Sequence, residues 1–170
     1  MQATQSLENG SIAKEKIAIF VDVQNIYYTT RQAYGRQFNY RQFWQQISDQ
    51  GDIVLANAYA IARDDDQQHK FQKALKHIGF NVKLKPYIQR SDGSAKGDWD
   101  VGIAIDVLEA AEDVDTIILL SGDGDFDLLM LKVSGKYSCN THVYGVPQLT
   151  ATSLINSASH YHRIEDDLLM

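Results

Sequence analysis

The chain of 170 residues has one cysteine, Cys139, so it cannot close an intramolecular disulfide. A reducing compartment is therefore expected. No apolar run approaches the roughly 18 residues that cross a bilayer, which leaves no membrane role for a helix. Residues 1–16 are polar and lack the apolar region of a signal peptide. The expectation is a cytoplasmic protein with a flexible leader over residues 1–15. An excess of positive charge is missing as well. Sixteen Lys and Arg against 22 Asp and Glu give a net charge of −6. That argues against a protein that coats nucleic acid by bulk attraction. Internal repeats and a second domain are also lacking. One domain is expected over residues 16–165, followed by an acidic tail over 166–170.

The charge that is present is unevenly distributed. Lys70, Lys73, Lys76, Lys83, Lys85, Arg90 and Lys96 fall in one stretch, and most of the acidic residues between Asp98 and Asp127 fall in the next. An acidic centre beside a basic flank suits a metal-dependent enzyme that acts on phosphates. The competing reading makes Lys70, Lys73 and Lys76 the solvated face of a helix.

The chain is organised around Thr116 to Asp127. The run Ile117-Ile118-Leu119-Leu120 is apolar on both faces, as in a central parallel strand covered on both sides. It runs into Ser121-Gly122 and then Asp123, Asp125 and Asp127. Ile17 to Val21 repeats the pattern and ends in Asp22, with Asn25 as N-cap of a short helix to Thr30. Helices are predicted over Tyr40–Ile47, Asp66–Ile78, Asp98–Ala111, Asp125 to Gly135, and Thr150–Ala158. Further strands are predicted over Ile53–Ile61, Val82–Leu84, Asn140–Tyr144 and Tyr161–Ile164. Ser91–Gly97 reads as a flexible loop. Alternating strands and helices imply a three-layer α/β/α fold with a mostly parallel sheet.

In such sheets ligands bind outside the carboxyl ends of the strands. Asp22, Asp123 and Asp125 sit there, and Asp100 lies in the first turn of the helix that leads to the central strand. Their carboxylates converge if the two strands are neighbours. A site rich in oxygen and free of His and Cys suits Mg²⁺ or Mn²⁺. These ions lower the pKa of a bound water and stabilise both oxygens of an in-line phosphoryl displacement.

Three ordered motifs carry a resemblance: Phe20-Val21-Asp22-Val23-Gln24-Asn25, Lys96-Gly97-Asp98-Trp99-Asp100-Val101-Gly102-Ile103-Ala104-Ile105-Asp106, and Ser121-Gly122-Asp123-Gly124-Asp125-Phe126. Together they resemble the NYN family, in its LabA-like branch of the PIN-like nuclease superfamily, from about Ile17 to Ile164. The resemblance implies a sheet of order 3-2-1-4-5 and a metal-dependent ribonuclease of single-stranded RNA. Asp22, Asp100, Asp123 and Asp125 are then the catalytic, metal-binding carboxylates. Asn25, Lys96 and Ser121 are implied substrate-side residues: Asn25 orienting Asp22 or a metal-bound water, Lys96 meeting a phosphate or pairing with a carboxylate, and Ser121 placing a hydroxyl near Asp123. Asp98, Asp106 and Asp127 are weaker candidates around them. At Ala158-Ser159-His160-Tyr161 the chain departs from the family's Ala-Asp pattern and loses a peripheral acidic group. The rival reading is a catalytically weak RNA- or metal-binding regulatory module that acts through a protein partner or as a homodimer, with Trp44 on an exposed helix.

Other signals have cheaper explanations. Asp22 alone would serve as a helix cap, and Asp98 as the N-cap of its helix. Asp64, Asp65 and Asp66 read as caps rather than metal ligands. The Asp123 to Asp127 run fails as a calcium loop, because its sixth position is Leu128 and its twelfth is Ser134. His160 and His162 share one side of a strand and read as a surface or half-buried pair rather than a metal pair. Tyr27, Tyr28, Arg31, Tyr34 and Arg36 either pack or line a groove for single-stranded RNA.

Overall fold

The computed structural model describes residues 14–63, 65–86, 88–89, 95–96 and 98–170, with backbone alone at 88–89 and 95–96. Strand β1 (Lys16–Asp22) is buried from Ile17 to Val21, as its unbroken apolar run requires of a central strand. It pairs in parallel with β2 (Asp52–Ala62) on one side. On the other side it pairs in parallel with β6 (Thr116–Leu120). Beyond these lie β3 (Asn81–Pro86), then β7 (Asn140–Gly145) and β8 (His160–Arg163). The order is β3-β2-β1-β6-β7-β8, all parallel. This is the expected order, extended at one edge by the short C-terminal strand.

Helices α1 (Val23–Tyr34), α2 (Tyr40–Ser48) and α3 (Asp66–Ile78) cover one face. Helices α4 (Asp100–Ala111), α5 (Asp127–Tyr137) and α6 (Thr152–Ser157) cover the other. The alternation along β1 divides the core between the layers. Ile19 and Val21 pack with Phe43, Leu75 and Phe80, whereas Ala18 and Phe20 pack with Ile103, Val107 and Val133. The chain leaves β1 and β6 towards opposite faces. A crevice therefore opens at their carboxyl ends, where the strand order reverses.

Several local expectations are corrected. Helix α1 starts at Val23 and runs to Tyr34, because Asp22, not Asn25, supplies its cap. Helix α5 passes through Gly135 to Tyr137 and ends on Ser138 in the left-handed region, its N–H bonded to the Val133 carbonyl. Trp44 is only partly exposed and packs against the core. Its ring lies 5.0 Å from that of Phe80 and fills the space over Gly79, where a Cβ would come within 2.7 Å. Ala95–Lys96 is a strand, β5, paired antiparallel with β4 (Ile88–Gln89), rather than part of a loop. The rest of the expected loop at 91–97, the leader over 1–13 and Asp64 lie outside the described residues.

The segment expected as an acidic tail is acidic only on its outside. Leu168 and Leu169 are buried in the core beneath Phe38, and Leu169 forms an antiparallel bridge with Phe38. No described helix is long and apolar enough to cross a membrane.

Candidate metal centre

Asp22 closes β1, and Val21 lies opposite Leu120, the last residue of β6. The loops leaving the two strands therefore start side by side. Asp123 and Asp125 lie on the turn after β6, and Asp100 opens α4. One carboxylate oxygen from each of Asp100, Asp123 and Asp125 lies within 4.8 Å of the others. Asp22 stands beside this group. Its Oδ2 accepts from the Ser121 hydroxyl at 3.1 Å and its Oδ1 from the Asn25 N–H at 3.4 Å.

The turn that carries Asp123 is held from both sides. The Asp123 N–H donates to Ser121 Oγ at 3.1 Å, so one hydroxyl orients both Asp22 and Asp123. The Gly122 N–H donates to Asn25 Oδ1 at 2.9 Å, and the Gly122 carbonyl accepts from Ala151. Glycine is required at 122, because a Cβ there would collide with the Leu149 carbonyl oxygen and meet Thr150 Cα at 3.1 Å. The Asp125 N–H donates to Asp123 Oδ1 at 2.9 Å, which fixes the rotamer of Asp123.

The carboxylates disturb one another. Asp100 is pushed up to about 7, first by burial, then by the charge of Asp123 and a hydrogen bond to it, then by Asp98 and Asp22. Asp22 is pushed up to about 6, mainly by burial, against the hydrogen bonds from Asn25 and Ser121. Among the described residues no lysine, arginine or histidine forms an ion pair with any of the four. Converging oxygen ligands, without nitrogen or sulfur and without a paired cation among the described residues, suit a hard divalent cation.

The NYN domain family profile matches residues 16–165. The chain belongs to the NYN domain family. It is 30% identical over 159 residues to the low amplitude and bright protein LabA of Synechococcus elongatus, covering 89% of this chain and 84% of that one. It is 54% identical to VPA0982 of Vibrio parahaemolyticus, a protein of unknown function with a crystal structure. That likeness has a TM-score of 0.90 and covers 94% of this chain and 99% of the other. The NYN domain is a PIN-like nuclease family that generally uses divalent metals.

Within this NYN domain the remaining sequence candidates separate. Ser121 lies near Asp123 as expected, but it is fully buried and offers nothing to a substrate. Asn25 has its oxygen committed to Gly122. Asp98 is exposed and accepts from the Asp100 N–H at 3.1 Å, but it is not the expected N-cap: α4 begins later, and Trp99 holds the cap position without a side-chain bond. Asp127 is the first residue of α5, and its Oδ1 accepts from the adjacent Leu128 N–H at 2.6 Å. Asp106 points away from the centre. Its Oδ2 accepts from Lys83 Nζ and from the Tyr59 hydroxyl, both at 2.7 Å. Lys96 lies on β5, and its side chain is outside the described residues.

Sequence reasoning missed the support beneath Asp100. Trp99 Nε1 donates to the Ala60 carbonyl at 2.9 Å, and Lys85 Nζ sits 4.6 Å from the Trp99 ring. Gly102 leaves room for that ring, where a Cβ would come within 2.7 Å. A signal was present in the spacing: Lys83 and Lys85 are two residues apart on β3, so both reach towards α4.

Proposed function

We propose that this NYN domain is a divalent-metal-dependent endoribonuclease that hydrolyses phosphodiester bonds of single-stranded RNA. The observation that carries the reading is the convergence of Asp100, Asp123 and Asp125, with Asp22 beside them, at the crevice where the strand order reverses. Mg²⁺ or Mn²⁺ held there would supply an acidified water and charge neutralisation for an in-line displacement. The protein's own share is to hold the carboxylates still. Ser121 and Asn25 act through Asp22, Asp123 and Gly122 as positioning residues. Trp99 fixes the start of α4, and with it Asp100. Lys96, two residues before Asp98, is assigned to the scissile phosphate.

The test is single-turnover cleavage of a labelled RNA panel with Mn²⁺. Asp123→Asn is expected to lose about 100-fold or more in rate while its circular dichroism stays that of wild type. Undiminished cleavage by that variant would remove Asp123 from the active site. Wild type that binds Mn²⁺ but cleaves nothing would instead make the centre a binding module.

A further inference from the structure

A groove of about 920 Å³ opens between α1 and the start of α3, over the carboxyl end of β2. Its floor includes Phe38, Tyr40 and Ala60, all buried. One wall is α1, with Tyr27 at 44% and Tyr28 at 51% exposure. The two rings meet edge to face at 5.3 Å. Arg31 extends along the same wall, where its Nη1 donates to the Tyr27 hydroxyl at 2.6 Å. That bond uses one of the five guanidinium N–H groups and leaves the fork available. Lys70 faces it from α3.

Arg31 on one wall and Lys70 on the other bring cations to the groove, beside Asp65 and Asp66. Asp65 is already engaged, since its Oδ1 accepts from the Gln68 N–H at 2.8 Å to start α3. The groove also leads to the acidic centre: Val23 and Gln24 line it, directly after Asp22.

We propose that this groove is the track for unpaired bases of the RNA strand, with Tyr27 and Tyr28 as its stacking platform and Arg31 and Lys70 on the phosphates. The identity of the strand rests on the nuclease reading above; the groove itself does not. Exposed tyrosines with Arg31 beside them and Lys70 across the groove match single-strand binding, in which bases stack without sequence readout. A duplex keeps its base faces within its own stack and cannot use such a platform. The strand would run along α1 and deliver its backbone to Asp22 and Asp123.

The experiment measures anisotropy of a fluorescein-labelled ten-nucleotide polyuridine on the full chain in EDTA, where cleavage is suppressed. The double variant Tyr27→Ala/Tyr28→Ala is expected to weaken binding about tenfold or more and to keep the salt dependence. Tyr28→Trp is expected to restore most of the loss in a Tyr28→Ala comparison. Arg31→Gln is expected to flatten the slope of log affinity against log salt by about 0.7, the loss of one phosphate contact. Wild-type affinity in the double tyrosine variant, equal binding of a base-paired hairpin, or no binding by wild type would each overturn the proposal. Tyrosine-dependent binding without any Mn²⁺-dependent cleavage would uphold the groove and reject the nuclease reading.

Discussion

At the scale of single residues, the acidic centre trades stability for a charge that something else must neutralise. Asp100 has its pKa raised to about 7 by burial and by Asp123. The folded state therefore holds a proton that the unfolded chain, with its carboxylate near 3.8, has already released. Between those values folding takes up protons, so the contribution of Asp100 to stability falls as pH rises from about 4 to about 7. Asp123→Asn removes the charge that Asp100 feels most strongly. In EDTA the variant is expected to unfold at a higher temperature than wild type at pH 7.5, and the gap should narrow towards pH 4.5. Millimolar Mn²⁺ should raise the midpoint of wild type and leave the variant unmoved. Calorimetric melts at three pH values check this, and equal midpoints throughout would show that Asp100 and Asp123 do not repel. Asp100 also shows why part of the site was unreadable. Its acidity is apparent in the sequence, but the Trp99 bracket on Ala60 and Lys85 joins segments far apart in the chain.

At the scale of elements, the shortest strand of the six-stranded sheet is β8, which lies at one edge and pairs only with β7. It is attached through rings as well as backbone. His142 on β7 stacks on His160 at 4.6 Å and on His162 at 5.0 Å, and His162 stacks on Tyr144 at 4.3 Å. His142 Nδ1 and His162 Nε2 lie 2.8 Å apart, so one donates while the other accepts, and double protonation breaks the bond. Burial, then His162 and His160, holds His142 down to about 4, against the single opposing pull of Glu15. Burial and His160 also lower His162. Here the unfolded state binds more protons between about 4 and 6.5, so acid loosens the strand, opposite in sign to Asp100. Amide-exchange protection factors in β8 are expected to fall between pH 7 and pH 5 while those of β1 and β6 hold. His142→Phe should remove the difference. A parallel loss in all three strands would mean that the stack does not titrate on its own. Sequence reading gave His160 and His162 as a surface or half-buried pair, and His160 is exposed while His162 is half-buried; it missed His142 because strand register sets that contact.

At the scale of the whole molecule, most of the architecture was legible because burial on both faces leaves a direct mark on sequence. The runs Ile17–Val21 and Ile117–Leu120 are central strands, and the acidic residues after them mark the crevice. The C-terminus was not legible, because two leucines behind two aspartates form no period that pattern reading can use. Their setting indicates which part of the segment carries stability. Arg36 reaches Asp166 at 3.0 Å, but that pair is exposed at 40% and 95%, and exposed pairs contribute little. Leu168 and Leu169 are buried against Phe38, the Asn39 N–H donates to the Leu168 carbonyl at 2.7 Å, and the Met170 N–H donates to the Gln37 carbonyl. Deleting residues 166–170 is therefore expected to cost about 3 kcal/mol or more in urea denaturation, from two leucines returned to water and a hollow beneath Phe38. Asp166→Ala/Asp167→Ala should stay within about 0.5 kcal/mol of wild type. Phe38 and Gln37 also line the groove, so the deletion should weaken polyuridine binding while the aspartate variant keeps it. If the aspartate variant is as unstable as the deletion, the segment is held by charge and the leucines are passengers.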